Sequence, residues 1–128
     1  MVRQRVSSGN EYEQAYGYSR AVRVDDRIFV AGTAPIAKDG NDVPEDAASQ
    51  ARLVCSIIVD ALKEAGATAD EVVRTRMYIT DAADSEQVGL VHGEVFAAAR
   101  PASTMVVVKA LLDPRWKVEI EAEAVLSH

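Results

Sequence analysis

Three glutamates, Glu119, Glu121 and Glu123, alternate with apolar Val118, Ile120, Ala122 and Ala124 without a break. A period of two is the signature of a strand with two different faces, so the carboxylates share one face and the apolar side chains the other. A carboxylate on a central strand, partly screened from water, is able to hold or activate a water molecule, which makes Glu119 a candidate for acid/base work. The same spacing is met by a plain member of a charge-paired row. A partner row is present: in Val72–Ile79, alternation puts Arg74, Arg76 and Tyr78 on one face and Val73, Met77 and Ile79 on the other. Side by side, the two strands bring the glutamates to the arginines in cross-strand pairs, each worth roughly 0.2–1 kcal/mol.

Other chemistry-bearing residues are few. Tyr18 reads as a pocket hydroxyl or as a half-buried core ring. Gly32, at a strand end, marks a bulge or a close backbone approach, where ligands often sit. His92 and His128 are the two histidines. His92 lies one turn from both Val88 and Phe96, where a hydrogen-bonded structural role is favoured over a catalytic one. There is no glycine-rich phosphate loop, cysteine pair or His-x-x-x-His helix, so a metal site would have to rest on carboxylates, and neither metal nor cofactor is expected. Cys55, the single cysteine, sits amid apolar residues at helical spacing and reads as an inert buried thiol. No serine stands in a nucleophile-elbow context. The formal net charge of −6 works against nonspecific nucleic-acid binding, which needs an excess of Lys and Arg. No apolar run approaches the roughly 18 residues of a membrane span, and Met1–Arg5 lacks the apolar core of a signal peptide, so no membrane partner and a cytoplasmic location are expected.

The elements that must position these residues follow from punctuation and period. A chain of 128 residues is read as one domain, residues 1–128. Residues 1–8 are a weak first strand, and Gly9–Gly17 a loop carrying two tyrosines. From Tyr18 the chain alternates to Val24, turns at Asp25-Asp26 and continues through Thr33 as a hairpin. Pro35 and Asp39-Gly40 punctuate a loop. Asp46 caps a helix to Ala65, with Val54, Ile57, Ile58, Ala61, Leu62 and Ala65 on its apolar stripe, and Gly66 takes the left-handed position after it. Thr68–Asp70 leads into the arginine strand. Asp84 and Gln87 resemble a capping box opening a second helix with Val88, Val91, Val95 and Phe96 on its apolar stripe, and Gly89 and Gly93 there allow close backbone packing. The helix stops before Pro101, and Trp116 anchors the link between the last two strands. Strands joined through helices run parallel with right-handed crossovers, which puts both helices on one face of the sheet. The other face is then either bare to water or covered by another subunit.

Two blocks are familiar: Gly17–Val22 followed by Ile28–Thr33, and Arg100-Pro101-Ala102-Ser103-Thr104 followed by Val118–Ala122. With Asp70–Asp81 between them, the chain resembles the RidA/YjgF family over nearly its whole length. The resemblance implies an α+β, chorismate-mutase-like mixed sheet of about six strands with two helices on one face, the last strand inserted antiparallel between the hairpin and the Arg74 strand. It also implies a homotrimer with small-molecule clefts between subunits and no cofactor. The family activity is hydrolysis of reactive enamines and imines to 2-oxo acids and ammonia, with an arginine clamping the substrate carboxylate and a glutamate positioning water. By that resemblance Glu119 is the catalytic glutamate, and Tyr18, Ala31, Gly32 and Thr33 line the cleft. The arginine is expected after Pro101-Ala102, where this chain has Ser103. A hydroxyl does not replace a guanidinium clamp. Arg100 is close in sequence, but three residues along an extended chain point the other way; Arg20 and Arg76 are further sources of positive charge. The expected function is a RidA-like hydrolase of a small C=N metabolite other than 2-iminopropanoate; the alternative is a non-catalytic trimeric small-ligand-binding protein.

Overall fold

The computed structural model describes residues 3–38, 40 and 42–127. Asp39 of the expected Asp39-Gly40 turn, the first two residues of the expected first strand, and His128 lie outside the described residues. The chain runs β1 (Arg3–Val6), α1 (Glu11–Tyr16), β2 (Ala21–Val24), β3 (Arg27–Thr33), α2 (Ala47–Glu64), β4 (Val72–Ile79), α3 (Ser85–Phe96), β5 (Ala102–Val107) and β6 (Val118–Val125). One six-stranded sheet has the order β1-β2-β3-β6-β4-β5. All neighbours are antiparallel except β4 and β5.

The last strand therefore lies in the middle, between β3 and β4, as the resemblance implied. Its register pairs Arg74 with Glu123, Arg76 with Glu121 and Tyr78 with Glu119, so the glutamate and arginine rows meet. On the other face Val118, Ile120, Ala122 and Ala124 are buried, with Ile28, Val30, Met77 and Ile79 beside them and Val54, Ile58 and Leu62 of α2 above. One expectation fails here. Val73 is 45% exposed and Val72 is buried instead, because a bulge between Val72 and Arg74 shifts the register and turns the strand over by one residue.

Helix α2 has the expected ends: the Asp46 carboxylate accepts from Ser49 N at 2.9 Å, and Gly66 has φ 97°. Arg23 of β2 closes it from the sheet, donating Nη1–H to Ala65 O at 2.9 Å. Gln50, buried within α2, donates to Pro44 O at 2.7 Å and Arg115 O at 2.9 Å and accepts from Lys117 N at 2.7 Å. These bonds tie the link before β6 to the start of α2. Trp116 is half-buried in that link, its indole N–H without a partner among the described residues.

Three local expectations need correction. Residues 11–16 form a helix rather than a loop: Asn10 Oδ1 accepts from Tyr12 N at 2.8 Å, and Gly17 ends the turn at φ 76°. The capping box of α3 is absent. A 3-10 turn at Ala82–Asp84 precedes the helix, and it is Asp81 that accepts from Ala83 N, at 2.9 Å. Nothing packs on Gly89 or Gly93, since a Cβ at either meets no atom within 4 Å.

Ile120 stands fully buried between β3, β4 and α2. Ile120→Ala is expected to cost about 2–5 kcal/mol in urea unfolding, with an unchanged denaturant slope; a loss below 1 kcal/mol would show that this strand is not the core's centre.

Candidate functional site

The open sheet face carries the candidate chemistry, and its side chains pair on a diagonal. Arg76 stands opposite Glu121 but makes its ion pair with Glu123, at 3.2 Å. Tyr78 stands opposite Glu119 but donates its hydroxyl proton to Glu121. Sheet twist skews facing strands so that long side chains reach the neighbour one pair along. Because Glu119 is the end of the row, this offset leaves its carboxylate without a hydrogen bond or ion pair among the described residues. Tyr78, held protonated by its bond to Glu121, has its pKa raised.

Glu119 is half-buried, and burial raises its carboxyl pKa, with Glu121 adding to the rise and Arg20 opposing it. Its seat is Gly32, where a Cβ would stand 2.5 Å from Glu119 Oε2. The register shift between Val30 and Thr33 makes this place, and Arg20 laces it together. Arg20 Nη2 donates to Ala31 O at 2.6 Å, Gly32 O at 3.1 Å and Thr33 Oγ1 at 2.6 Å. Thr33 is fully buried and passes its own proton to Ala31 O at 2.8 Å. Thr33 therefore braces the cleft strand from below instead of facing a ligand. Among the described residues no carboxylate stands within ion-pairing distance of Arg20, so its charge acts on Glu119 through space.

Tyr18 is 45% exposed, not a core ring. The residues that hold it were missed in the sequence: Gly17 N and Tyr18 N both donate to Glu13 O at 2.9 Å, and the Glu13 carboxylate accepts from Ser7 Oγ and Ser8 N, each at 2.9 Å, and from Ser8 Oγ. Burial opposes the Glu13 charge, but these bonds and Arg20 outweigh it and hold its pKa below the ordinary value. Only the S-S-x(4)-E spacing hinted at this in the sequence.

The open face holds two shallow recesses with Glu121 as their shared wall. Tyr18 and Ala31 line one, beside Val22 and Phe29; Glu119 and Gly32 line the other, beside Tyr78 and Leu111. Ser103 belongs to neither. It pairs with Thr75, whose side chain is fully buried on the helix-covered face, so Ser103 and Glu119 lie on opposite faces of one sheet. Arg100 is exposed at φ 47°, just before β5. Cys55 is buried, and burial, with Glu94 adding, pushes its thiol up to about 12. Among the described residues no group of three or more His, Cys, Asp and Glu is placed to hold a metal ion, and no helix is long and apolar enough to cross a membrane.

The family model described as endoribonuclease L-PSP matches residues 8–126. The chain belongs to this family, the RidA/YjgF family. Within it, the chain is similar to an uncharacterized protein of Streptomyces coelicolor, 36% identical over 94% of this chain and 90% of the other. It is also similar to the crystal structure of Rv2704 from Mycobacterium tuberculosis, a member of the YjgF/YER057c/UK114 family, at TM-score 0.89 and 46% identity, covering 98% of this chain and 100% of the other. It is similar as well to the crystal structure of Escherichia coli TdcF with bound serine, at TM-score 0.77 and 29% identity over 86% and 88% of the two chains.

A carbon-detected NMR titration of Glu119 is expected to give a midpoint above the ordinary 4.5. Arg20→Met should move it further up and Glu121→Gln should move it down; no response to either change would show that the open-face charges do not act on this carboxylate. The sign for stability follows. A raised folded pKa means that ionised Glu119 destabilises the fold, so Glu119→Gln should raise the melting temperature at pH 7. That gain should vanish as the pH falls below 4.5.

Proposed function

We propose that the protein hydrolyses the C=N bond of a small imine or enamine, in the cytoplasm, as a homotrimer with a cleft at each subunit boundary. One observation carries the reading: a half-buried carboxylate, Glu119, left without a partner in a row where its neighbours are bonded. In the reaction Glu119 accepts a proton from water as the oxygen bonds to the imine carbon. That proton passes to the nitrogen to give a carbinolamine; Glu119 then moves the hydroxyl proton to the nitrogen as the C=O bond forms and the C–N bond breaks, and ammonia leaves a carbonyl product. Membership in the RidA/YjgF family supports this chemistry. The trimer is supported by the sheet itself: Phe29, Val106 and Val107 are 41, 42 and 55% exposed, and Ser103 and Glu119, on opposite faces, would share a cleft only across a boundary between chains. The family description names an endoribonuclease, but a net charge of −6 and a single described histidine, whose pKa burial lowers, do not favour RNA cleavage.

A second reading, a non-catalytic trimeric binding protein, is favoured by Ser103 standing in place of the family's arginine and by the serine bound to the Escherichia coli relative. Hydrolysis of 2-iminopropanoate, generated from serine by a dehydratase and followed as pyruvate, tests both. Ser103→Arg is expected to be more active than wild type, and Glu119→Gln should lower either rate by about 10²–10⁴-fold. If no variant turns over, across imines of several amino acids, the binding reading replaces the hydrolase.

A light-scattering mass of about three times the 13.8 kDa chain is expected; a mass of one chain would remove the shared cleft.

A further inference from the structure

Three side chains from three elements form a hydrogen-bonded chain at the helix-covered side of the sheet edge. The Thr75 hydroxyl of β4 lies 2.8 Å from His92 Nε2 of α3 and 2.8 Å from Ser103 Oγ of β5. Thr75 is fully buried, His92 is half-buried with its ring 4.9 Å from that of Phe96, and Ser103 is exposed. The chain thus starts inside the protein and ends at the surface.

Its proton count has a consequence. Thr75 has one hydroxyl proton between two partners. When it goes to Ser103, His92 must donate from Nε2, and Ser103 turns its own proton outward as a donor. When it goes to His92, the ring carries its proton on Nδ1, Ser103 donates inward, and its lone pairs face out as acceptors. Burial favours the neutral ring in both arrangements. Ser103 therefore presents an uncharged group whose polarity is set to suit what it meets. A carboxylate, which only accepts, fits only the arrangement in which Ser103 donates outward, whereas a group with both a donor and an acceptor fits either. Arg74 and Arg76 stand on the opposite face of β4, and Arg76 is paired with Glu123.

We propose that the Ser103–Thr75–His92 chain makes Ser103 the recognition group for a carboxamide, so that the protein selects amide-bearing ligands over their carboxylate counterparts. A carboxamide offers both a donor and an acceptor, matching either polarity. Where the hydrolase reading holds, this deepens it: the imine substrates would carry an amide where the usual imino acids carry a carboxylate.

The test is an NMR titration of the full chain with pyruvamide and pyruvate, which differ only in that group. Wild type is expected to bind pyruvamide about tenfold more tightly, with shifts centred on Ser103 and the His92 ring. Thr75→Val, nearly isosteric, should abolish the preference, and Ser103→Arg should invert it. His92→Gln, which keeps a donor and an acceptor, should retain the preference, while His92→Leu should lose it. A chain that merely satisfies the buried Thr75 hydroxyl would lower the melting temperature of Thr75→Val and leave ligand choice alone. If Thr75→Val fails to fold, the His92 pair carries the comparison. The proposal is overturned by equal or tighter binding of pyruvate, by a preference that survives His92→Leu or Thr75→Val, by shifts that avoid Ser103, or by no binding of either probe. No turnover is required, so an amide preference without imine hydrolysis would remove the hydrolase reading and leave the recognition chain standing.

Discussion

The insertion of β6 between β3 and β4 is the constraint on which the rest depends. A central strand is paired on both edges, so its backbone is fully bonded and its two faces are free to differ. One face has become the floor of the core under α2, and the other a row of carboxylates. That row is tolerable only because β4 answers it with Arg74, Arg76 and Tyr78. The diagonal reach of those partners then decides the chemistry: Arg76 takes Glu123, Tyr78 takes Glu121, and Glu119 remains. The same pairing that stabilises the sheet thus leaves Glu119, a half-buried acid, without a partner among the described residues.

The site also depends on contacts well away from it. Gln50 ties the entry to β6 to the start of α2, which sets where Glu119 falls along the sheet. Arg20 holds the bulged end of β3 through three oxygens, and that bulge places Gly32, without a side chain, against the Glu119 carboxylate. Both are polar groups drawn into the structure and bonded there, Gln50 through its whole amide and Arg20 through Nη2, while Arg20 Nε is buried without a partner among the described residues.

Much of this architecture was legible because it rests on period and punctuation. Alternation identified the two central strands and their pairing, and Asp46 and Gly66 marked the ends of α2. What stayed hidden was non-local or depended on a single inserted residue. The bulge at Val72 shifts a strand that alternation alone reads straight through, which is why Val73 faces outward. Helix α1 has no apolar stripe; it is held by Asn10 and by the Glu13 side chain bonded to Ser7 and Ser8. The side of the sheet on which Ser103 lies follows from its parallel pairing with Thr75, and no local pattern at Arg100–Thr104 discloses it. Glu119 could be singled out by its position in a row, but its lack of a partner appears only when the diagonal is seen.

Electrostatics bear on what such a cleft would admit. The chain carries net negative charge, and beside Gly32 the recess holds two carboxylates, Glu119 and Glu121. Of the nearby cations, Arg76 is neutralised by Glu123, and Arg20 directs Nη2 at backbone carbonyls and Thr33. An anion entering here would meet like charge from both carboxylates, with the Arg20 charge, held at the backbone of β3, as the nearest offset. A neutral ligand avoids that cost, and in a half-screened recess a polarised C=N bond interacts favourably with the Glu119 field as its nitrogen gains a proton. On the proposed hydrolase reading, Ser103 in place of a clamping arginine and a Glu119 without an ion pair among the described residues would act in the same direction, since both would favour a substrate without a carboxylate.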